Sequence, residues 1–400
     1  MARATTPPRP SGADTALAVL DPRAERLDVG ELRTAWTSLE AIAAEWDRLA
    51  DMLAAGPFLR PGWIDLWWRS FGSGRLEVLS VRRDGRVVAV LPLCRPALRT
   101  AAFMAEPFPL TSRPGTLRSP ANWHSPCSGP LAADAAAMTA LAEALAARQA
   151  PLVSLSFSGD GVSGLAEARS GLGRVGYRLL EQQLSPVPIV PIDGDWNAYL
   201  AGLDAKRLSN QRRRERRLAE LGAVSVEVRD GSEGLPELLD EVLRLEPSGW
   251  KLSGGSAIAS RPATVGFYTE LSRWAAARGA LRISLLRCGG RAIACQLGIE
   301  DGGVYYLLKG GFDPEFAKHA PARALVRATL EDAFAAGLRC VDFVGGADPW
   351  KLEWTSTTRD RVVLHAFAPG ARGELERLAL TYGRPARAAA RRRLRKLLRR

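Results

Sequence analysis

"LEVLSVRRDGRVVAVLPL" occupies residues 76–93, and "LRISLLRCGGRAIACQLG" occupies residues 281–298. Each reads as two β-rich runs around a tight turn. Asp84-Gly85 is a strong hairpin signal, because a two-residue turn between twisted strands needs positive φ and Asp-Gly tolerates it. The stretches align without a gap at an offset of 205, with Leu76/Leu281, Arg82/Arg287, Gly85/Gly290, Arg86/Arg291 and Ala89/Ala294 identical. Downstream of each come a His-x-Pro (His124/Pro126 and His319/Pro321), an Ala-rich helix and a buried strand. The shared order predicts an internal duplication. His-x-Pro is read in both halves as a lead-in to the helix.

Outward from the hairpins, "SLEAIAAEWDRLADML" (38–53) has helical spacing, with Leu39, Ile42, Trp46, Leu49 and Leu53 on one face. A Trp-rich helix follows at 61–72. "LVSLSF" (152–157) reads as a strand. "SPVPIVPI" (185–192) opens the second half, which ends on a strand at 361–367. The expected class is α/β (α+β), two tandem duplicated halves, each a mixed, mainly antiparallel sheet flanked by helices. The expected boundaries are a disordered 1–25, domains at 26–184 and 185–370, and a basic helical tail at 371–400.

The formal net charge is +12, carried by two segments. Arg377–Arg400 has ten basic residues and no acidic one, and Asp204–Arg217 has seven basic and two acidic. The rest of the chain is near neutral. The five Cys are scattered with no CxxC pair, and the three His do not cluster. That pattern argues for a reducing compartment and against zinc, so no metal is expected. No run reaches the ~20 apolar residues of a membrane span, and a cytoplasmic location is expected.

The motifs "EPSGWK" (246–251), "YYLLKGGFDP" (305–314), "DFVGGADPWKLEW" (342–354) and "PFLRPGW…WWRSFG" resemble the GNAT acyltransferases. The nearer resemblance is to the CelD/BcsL-like group with its BioF-like acetyltransferase domain, and more distantly to the FemAB peptidyltransferases. It covers about residues 35–370. It implies acyl transfer from acyl-CoA, acetyl-CoA as the simplest case, to an amine, often in polysaccharide or cell-surface biosynthesis. An aminoacyl-tRNA donor, or a non-catalytic scaffold, is the alternative.

The resemblance puts the donor's pyrophosphate at Phe316, Ala317, Lys318, His319, Ala320, Ala322 and Arg323, where a helix begins. This loop departs from the Q/R-x-x-G-x-G/A pattern. It has no Gly from 312 to 322, so a phosphate would meet Cβ atoms and a Pro without an N–H. Candidates for polarising the thioester and moving protons are Lys251, Tyr306, Lys309, Asp313, Asp342 and Lys351, with Glu246 beside them. Lys occurs only six times, and three of the six lie in these motifs. Lys251, Lys309, Asp342 and Lys351 are read either as a catalytic charged cluster or as an ion-pair network fixing the sheet. His319 reads as a surface loop residue.

"KRLSNQRRRERRLAELG" (206–222) reads as a basic helix of the second domain, its charge turned to donor phosphates, tRNA or water. The tail "RPARAAARRRLRKLLRR" could lie on an anionic membrane at the inner surface or hold a polyanion.

Overall fold

The computed structural model describes residues 31–96, 115–159, 164–247 and 257–383. The disordered stretch expected at 1–25 and most of the basic tail lie outside them. The first half runs β1 (Leu32–Thr37), α1 (Leu39–Met52), α2 (Pro61–Phe71), β2 (Arg75–Arg83), β3 (Arg86–Arg95), β4 (Leu117–Arg118), β5 (Leu131–Ala132), α3 (Ala135–Ala146), β6 (Leu152–Gly159), α4 (Leu165–Arg174) and β7 (Arg178–Gln183). The second begins with β8 (Val187–Pro191), α5 (Trp196–Ala201), α6 (Ala205–Ala219), β9 (Val224–Arg229), α7 (Leu235–Leu245) and α8 (Pro262–Ala277). It continues with β10 (Leu281–Cys288), β11 (Arg291–Asp301), β12 (Val304–Phe312), α9 (Pro321–Ala335), β13 (Cys340–Asp342), β14 (Thr358–Phe367) and α10 (Ala371–Leu378).

The two hairpins repeat each other in detail. β2 and β3 turn at Asp84 and Gly85, with φ of 51° and 77°, as the dipeptide predicts. Both hairpins carry a bulge at the same aligned place, between Val81 and Arg82 and between Leu286 and Arg287. A bulge re-aims the side chain beside it. Arg82 is turned onto Glu45 of α1 (Nη2 to Oε1, 2.6 Å) and onto the Gly85 carbonyl. Arg287 is turned onto Glu241 of α7 (Nη2 to Oε2, 2.9 Å) and onto the Gly290 carbonyl.

One mixed sheet joins the halves, in the order β1-β2-β3-β4-β6-β14-β8-β13-β12-β11-β10-β9. Inward from either end, antiparallel strands lead to a parallel pair, β4 with β6 and β12 with β13. Parallel neighbours need a crossover, and α3 and α9 provide it. At the centre, β14 pairs antiparallel with β6 and β7 and touches β8 at Thr358 and Arg359. β14 was expected to close the second half's sheet. It instead completes the first, and β8 pairs with β13 to complete the second. Alternation marks a strand but not its partner.

The halves also share a core. α2 packs on α8, with Trp63 edge-on to Phe58, Phe267 and Trp274. Gly62 admits the Trp274 indole, which a Cβ there would strike. At the rim of this contact Arg60 of the first half forks onto Asp301 of the second, Nε to Oδ2 at 2.6 Å and Nη2 to Oδ1 at 3.0 Å.

Candidate functional site

β12 is longer than its parallel neighbour. β13 pairs only with Val304–Tyr306, while β11 stays bonded to β12 as far as Phe312. From Leu307 onward β12 thus runs on past the end of β13. The strand then leads through a short turn, Pro314–His319, into α9. Asp313 caps this turn, accepting from the Glu315 N–H at 3.1 Å, and pairs with Arg291. Its carboxylate is therefore used locally, and Asp313 stands apart from the other candidates.

The start of α9 has no side-chain cap. Its N-cap is Ala320, left-handed at φ 50°, and Pro321 at the first helical position has no N–H. The N–H groups of Ala320 and Arg323 are bonded to the carbonyls of Ala317 and Ala320. Much of the backbone donor capacity is thus spent, and positive charge comes from side chains. Arg323 lies at 4.9 Å over the Trp354 ring and pairs with Glu353. Burial lowers its pKa, and Arg207 and Arg214 of α6 lower it further, so the basic helix turns two arginines toward this end of α9. Phe316 packs under the Arg291 guanidinium at 5.6 Å; Ala317 and Lys318 are exposed and Ala322 is half-buried. His319, expected on the surface, is buried, with no partner for its Nε2 among the described residues, because it folds under the turn rather than out of it.

The matching helix of the first half differs. The N-cap of α3 is Asp134, which accepts from the Ala137 N–H at 2.8 Å and pairs with Arg83 at 2.7 Å. A fixed carboxylate already sits where the helix dipole would draw an anion.

Where the halves meet, charged side chains gather around β13 and β14. Asp342 accepts from the Val344 N–H at 2.7 Å and from Arg359 Nη1 at 2.9 Å. Burial raises its pKa, and Arg359 opposes the rise. Lys351 donates to the carbonyls of Val344 (2.7 Å) and Gly346 (2.9 Å) and to Asp348 (2.9 Å). These three contacts occupy its ammonium protons and staple the turn that follows β13. Burial lowers its pKa, and Asp348 opposes that. Tyr306 is buried against Phe58, its hydroxyl facing Gly56; burial raises its pKa and Asp342 adds to the effect.

A second group lies along the same junction. Lys309 Nζ is 5.4 Å from the centre of the Tyr268 ring, and the Tyr268 hydroxyl is 3.3 Å from His124 Nδ1. His124 stacks on Phe71 at 5.3 Å. Burial, with Lys309 and Arg261 nearby, pulls its pKa down to about 3. His124 is therefore a neutral interface residue. It lies well before α3, which begins at Ala135, so only His319-x-Pro321 is a helix lead-in. Glu246 is fully buried behind this group and accepts from the Ile258 N–H at 2.8 Å. Lys251 lies outside the described residues. Sequence reasoning missed Tyr268, Arg359 and Arg361, which sit in ordinary-looking helix and strand patterns. No group of His, Cys, Asp and Glu able to hold a metal occurs among the described residues, and no described helix is long and apolar enough to cross a membrane.

Residues 205–352, which contain β12 and the start of α9, match the family model described as the acetyltransferase (GNAT) domain. That stretch of the second half is thus similar to a GNAT domain. The chain's fold is similar to that of FemX, at 14% identity and a TM-score of 0.55, over 87% of this chain and 100% of FemX. A tandem GNAT protein from the clavulanic acid biosynthesis pathway is similar at 14% identity and a TM-score of 0.44, over 85% of this chain and 99% of that one. L-PGS from Bacillus licheniformis is similar at 12% identity and a TM-score of 0.45, over 80% and 95%. No curated protein matches the chain in sequence. The comparisons thus give a GNAT-type domain in the second half and a FemX-like fold for the chain as a whole.

Proposed function

We propose that the chain is an N-acyltransferase that takes an acyl group from acyl-CoA, acetyl-CoA as the simplest donor, and passes it to an amine held between the halves. The observation that carries this reading is the asymmetry of the two crossover helices. The start of α9 has no side-chain cap, faces arginines and follows the part of β12 that runs past β13. The start of α3 is filled by its own Asp134. One donor site per chain follows, in the second half. The fit to CoA is by side-chain charge: Arg323, Arg207 and Arg214 stand in for the missing Gly-rich loop as phosphate ligands, with Lys318 at its mouth. β12, which runs on past the end of β13, suits the amide groups of an extended pantetheine arm, which can lie along it as a strand does.

In this reading the amine attacks the thioester carbonyl, the N–C bond forms as the C–S bond breaks, and the proton shed by the nitrogen ends on the departing thiolate to give the free thiol of CoA. Lys309, beside Tyr268 on the β12 side of the junction, is the cation placed to stabilise that thiolate. Asp342, Lys351 and Tyr306 hold the walls. The motifs quoted above keep the CelD/BcsL-like, BioF-like assignment, and with it polysaccharide or cell-surface biosynthesis in the cytoplasm, as the proposed context. The arginines of α6 also favour a second reading, an aminoacyl-tRNA donor, whose larger polyanion would use more of that helix.

The test is Ala320→Asp, which copies Asp134 onto α9. Calorimetric titration with acetyl-CoA should lose on the order of tenfold or more in affinity, from one carboxylate set near the phosphates. Unaltered acetyl-CoA affinity in the folded variant would remove this donor site. Titration with deacylated tRNA separates the second reading from the first.

A further inference from the structure

Arg361 of β14 is 2% exposed, and its Nε and Nη2 are buried with no hydrogen-bond partner among the described residues. These two nitrogens form one edge of the guanidinium, the edge that takes a carboxylate through two parallel bonds. Arg60 uses that same edge on Asp301, at 2.6 and 3.0 Å. In Arg361 it is empty.

The neighbours cannot fill it. Asp342 lies within electrostatic reach, but its oxygens are taken by Arg359 and the Val344 N–H. Lys351, also within reach, is a further cation. The Cys127 thiol beside Arg361 is kept protonated by burial and is no counter-ion. Arg359, Arg361 and Lys351 thus face one buried carboxylate. A buried guanidinium without a partner destabilises a fold, and an apolar residue of similar size would be better tolerated.

The place is telling as well. The segment from His124 to Cys127 runs from the Lys309–Tyr268 group to Arg361. Arg361, on β14 of the first half's sheet, therefore lies beside the junction where the acceptor is proposed to lie.

We propose that Arg361 seats a carboxylate of the acceptor, so that the acyl group is transferred to an amine that also bears a carboxylate. This rests on the acyltransferase reading above and names its acceptor class. Ligand binding supplies the missing counter-charge, and the planar carboxylate matches the planar fork.

Two measurements on the full chain test it. The first follows thermal unfolding with sodium acetate against sodium chloride at equal ionic strength, for the native chain, Arg361→Met and Arg361→Lys. Acetate should raise the midpoint of the native chain alone, and Arg361→Met without ligand should unfold no earlier than the native chain. If Arg361→Met does not fold, Arg361→Lys, which keeps the charge and loses the fork, carries the comparison. A native chain indifferent to acetate, variants that respond equally, or inorganic phosphate acting in place of acetate would each overturn the proposal. The second measures acetyl-CoA-dependent thiol release with amino acids and their amides in matched pairs. The native chain should prefer the acid by on the order of tenfold to a hundredfold in kcat/KM, and in Arg361→Lys the ratio should fall toward one. A native ratio near one would overturn it. Absence of transfer to every amine, with Arg361-dependent acetate binding intact, would instead refute the acyltransferase reading and leave the carboxylate site standing.

Discussion

Replacing Arg60 by Met should loosen the joint between the halves. The Arg60 side chain is 4% exposed and meets three carboxylates: Asp301 at 15% exposure, Asp47 at 34% and Asp51 at 64%. The exposed Asp51 pair contributes little, roughly 0–1 kcal/mol. The Asp301 fork is charge-assisted, bidentate and nearly dry. Removing one partner of such a pair costs about 3 kcal/mol, because the other charge stays behind without its cation. At about 2.1 cal/mol/K of unfolding entropy per residue, 400 residues turn that into a fall of ~4 °C in Tm. Scanning calorimetry on Arg60→Met, Asp301→Leu and the double variant checks the argument. The double variant should regain much of the loss, since no charge is stranded. A single-variant Tm within about 1 °C of native, or a double variant that adds the two losses, would refute the reasoning.

Three further outcomes follow from the geometry. Arg207→Glu with Arg214→Glu should raise the KM for acetyl-CoA by roughly tenfold in steady-state assays, whereas Arg212→Glu with Arg216→Glu, turned well away on a helix of 3.6 residues per turn, should leave it unchanged. His124 has its pKa held at about 3 in the fold, against ~6.5 when unfolded, so the unfolded chain binds the extra proton below pH 6.5. Its contribution to stability is therefore complete above about pH 6.5 and is lost as pH falls toward 3; His124→Phe should flatten that part of a urea-midpoint profile. Gly311→Ala should cost about 1–3 kcal/mol, since its methyl would collide with the Leu245 carbonyl and the Glu246 Cα, while Gly266→Ala on α8, with open space around it, should be neutral or stabilising in the same urea titration.

Local structure was largely legible in the sequence, because it is set by local chemistry. Asp84-Gly85 fixes its own turn, and the spacing of Ile42, Trp46 and Leu49 marks the buried face of α1. Even the duplication, read from five identities in a hairpin, reappears as matched bulges and matched Arg–Glu pairs. What did not show is what depends on partners distant in the chain. Asp313 looked like one more acid in a motif, and only the neighbouring Arg291 and the Glu315 N–H reveal a turn cap. His124 looked like the counterpart of His319, until α3 proved to begin far downstream. Arg361 sits in "RVVLHAF", where a strand pattern explains every residue and says nothing of an unfilled fork. The shared junction itself is made by β14 and β8, whose exchange of neighbours no hydrophobic alternation encodes.

That exchange has a consequence for how the chain is made. β6 and β7 lie on either side of β14, which the ribosome delivers some two hundred residues after β6. Until then the nascent first half must wait with two bare strand edges, and a chain stopped before Thr358 would keep them for good. Domains that fold in order of synthesis bury their edges early. Here the edges of β6 and β7 are covered only near the end of translation, so premature termination or slow elongation across 343–357 should send the product to aggregates rather than to a stable half.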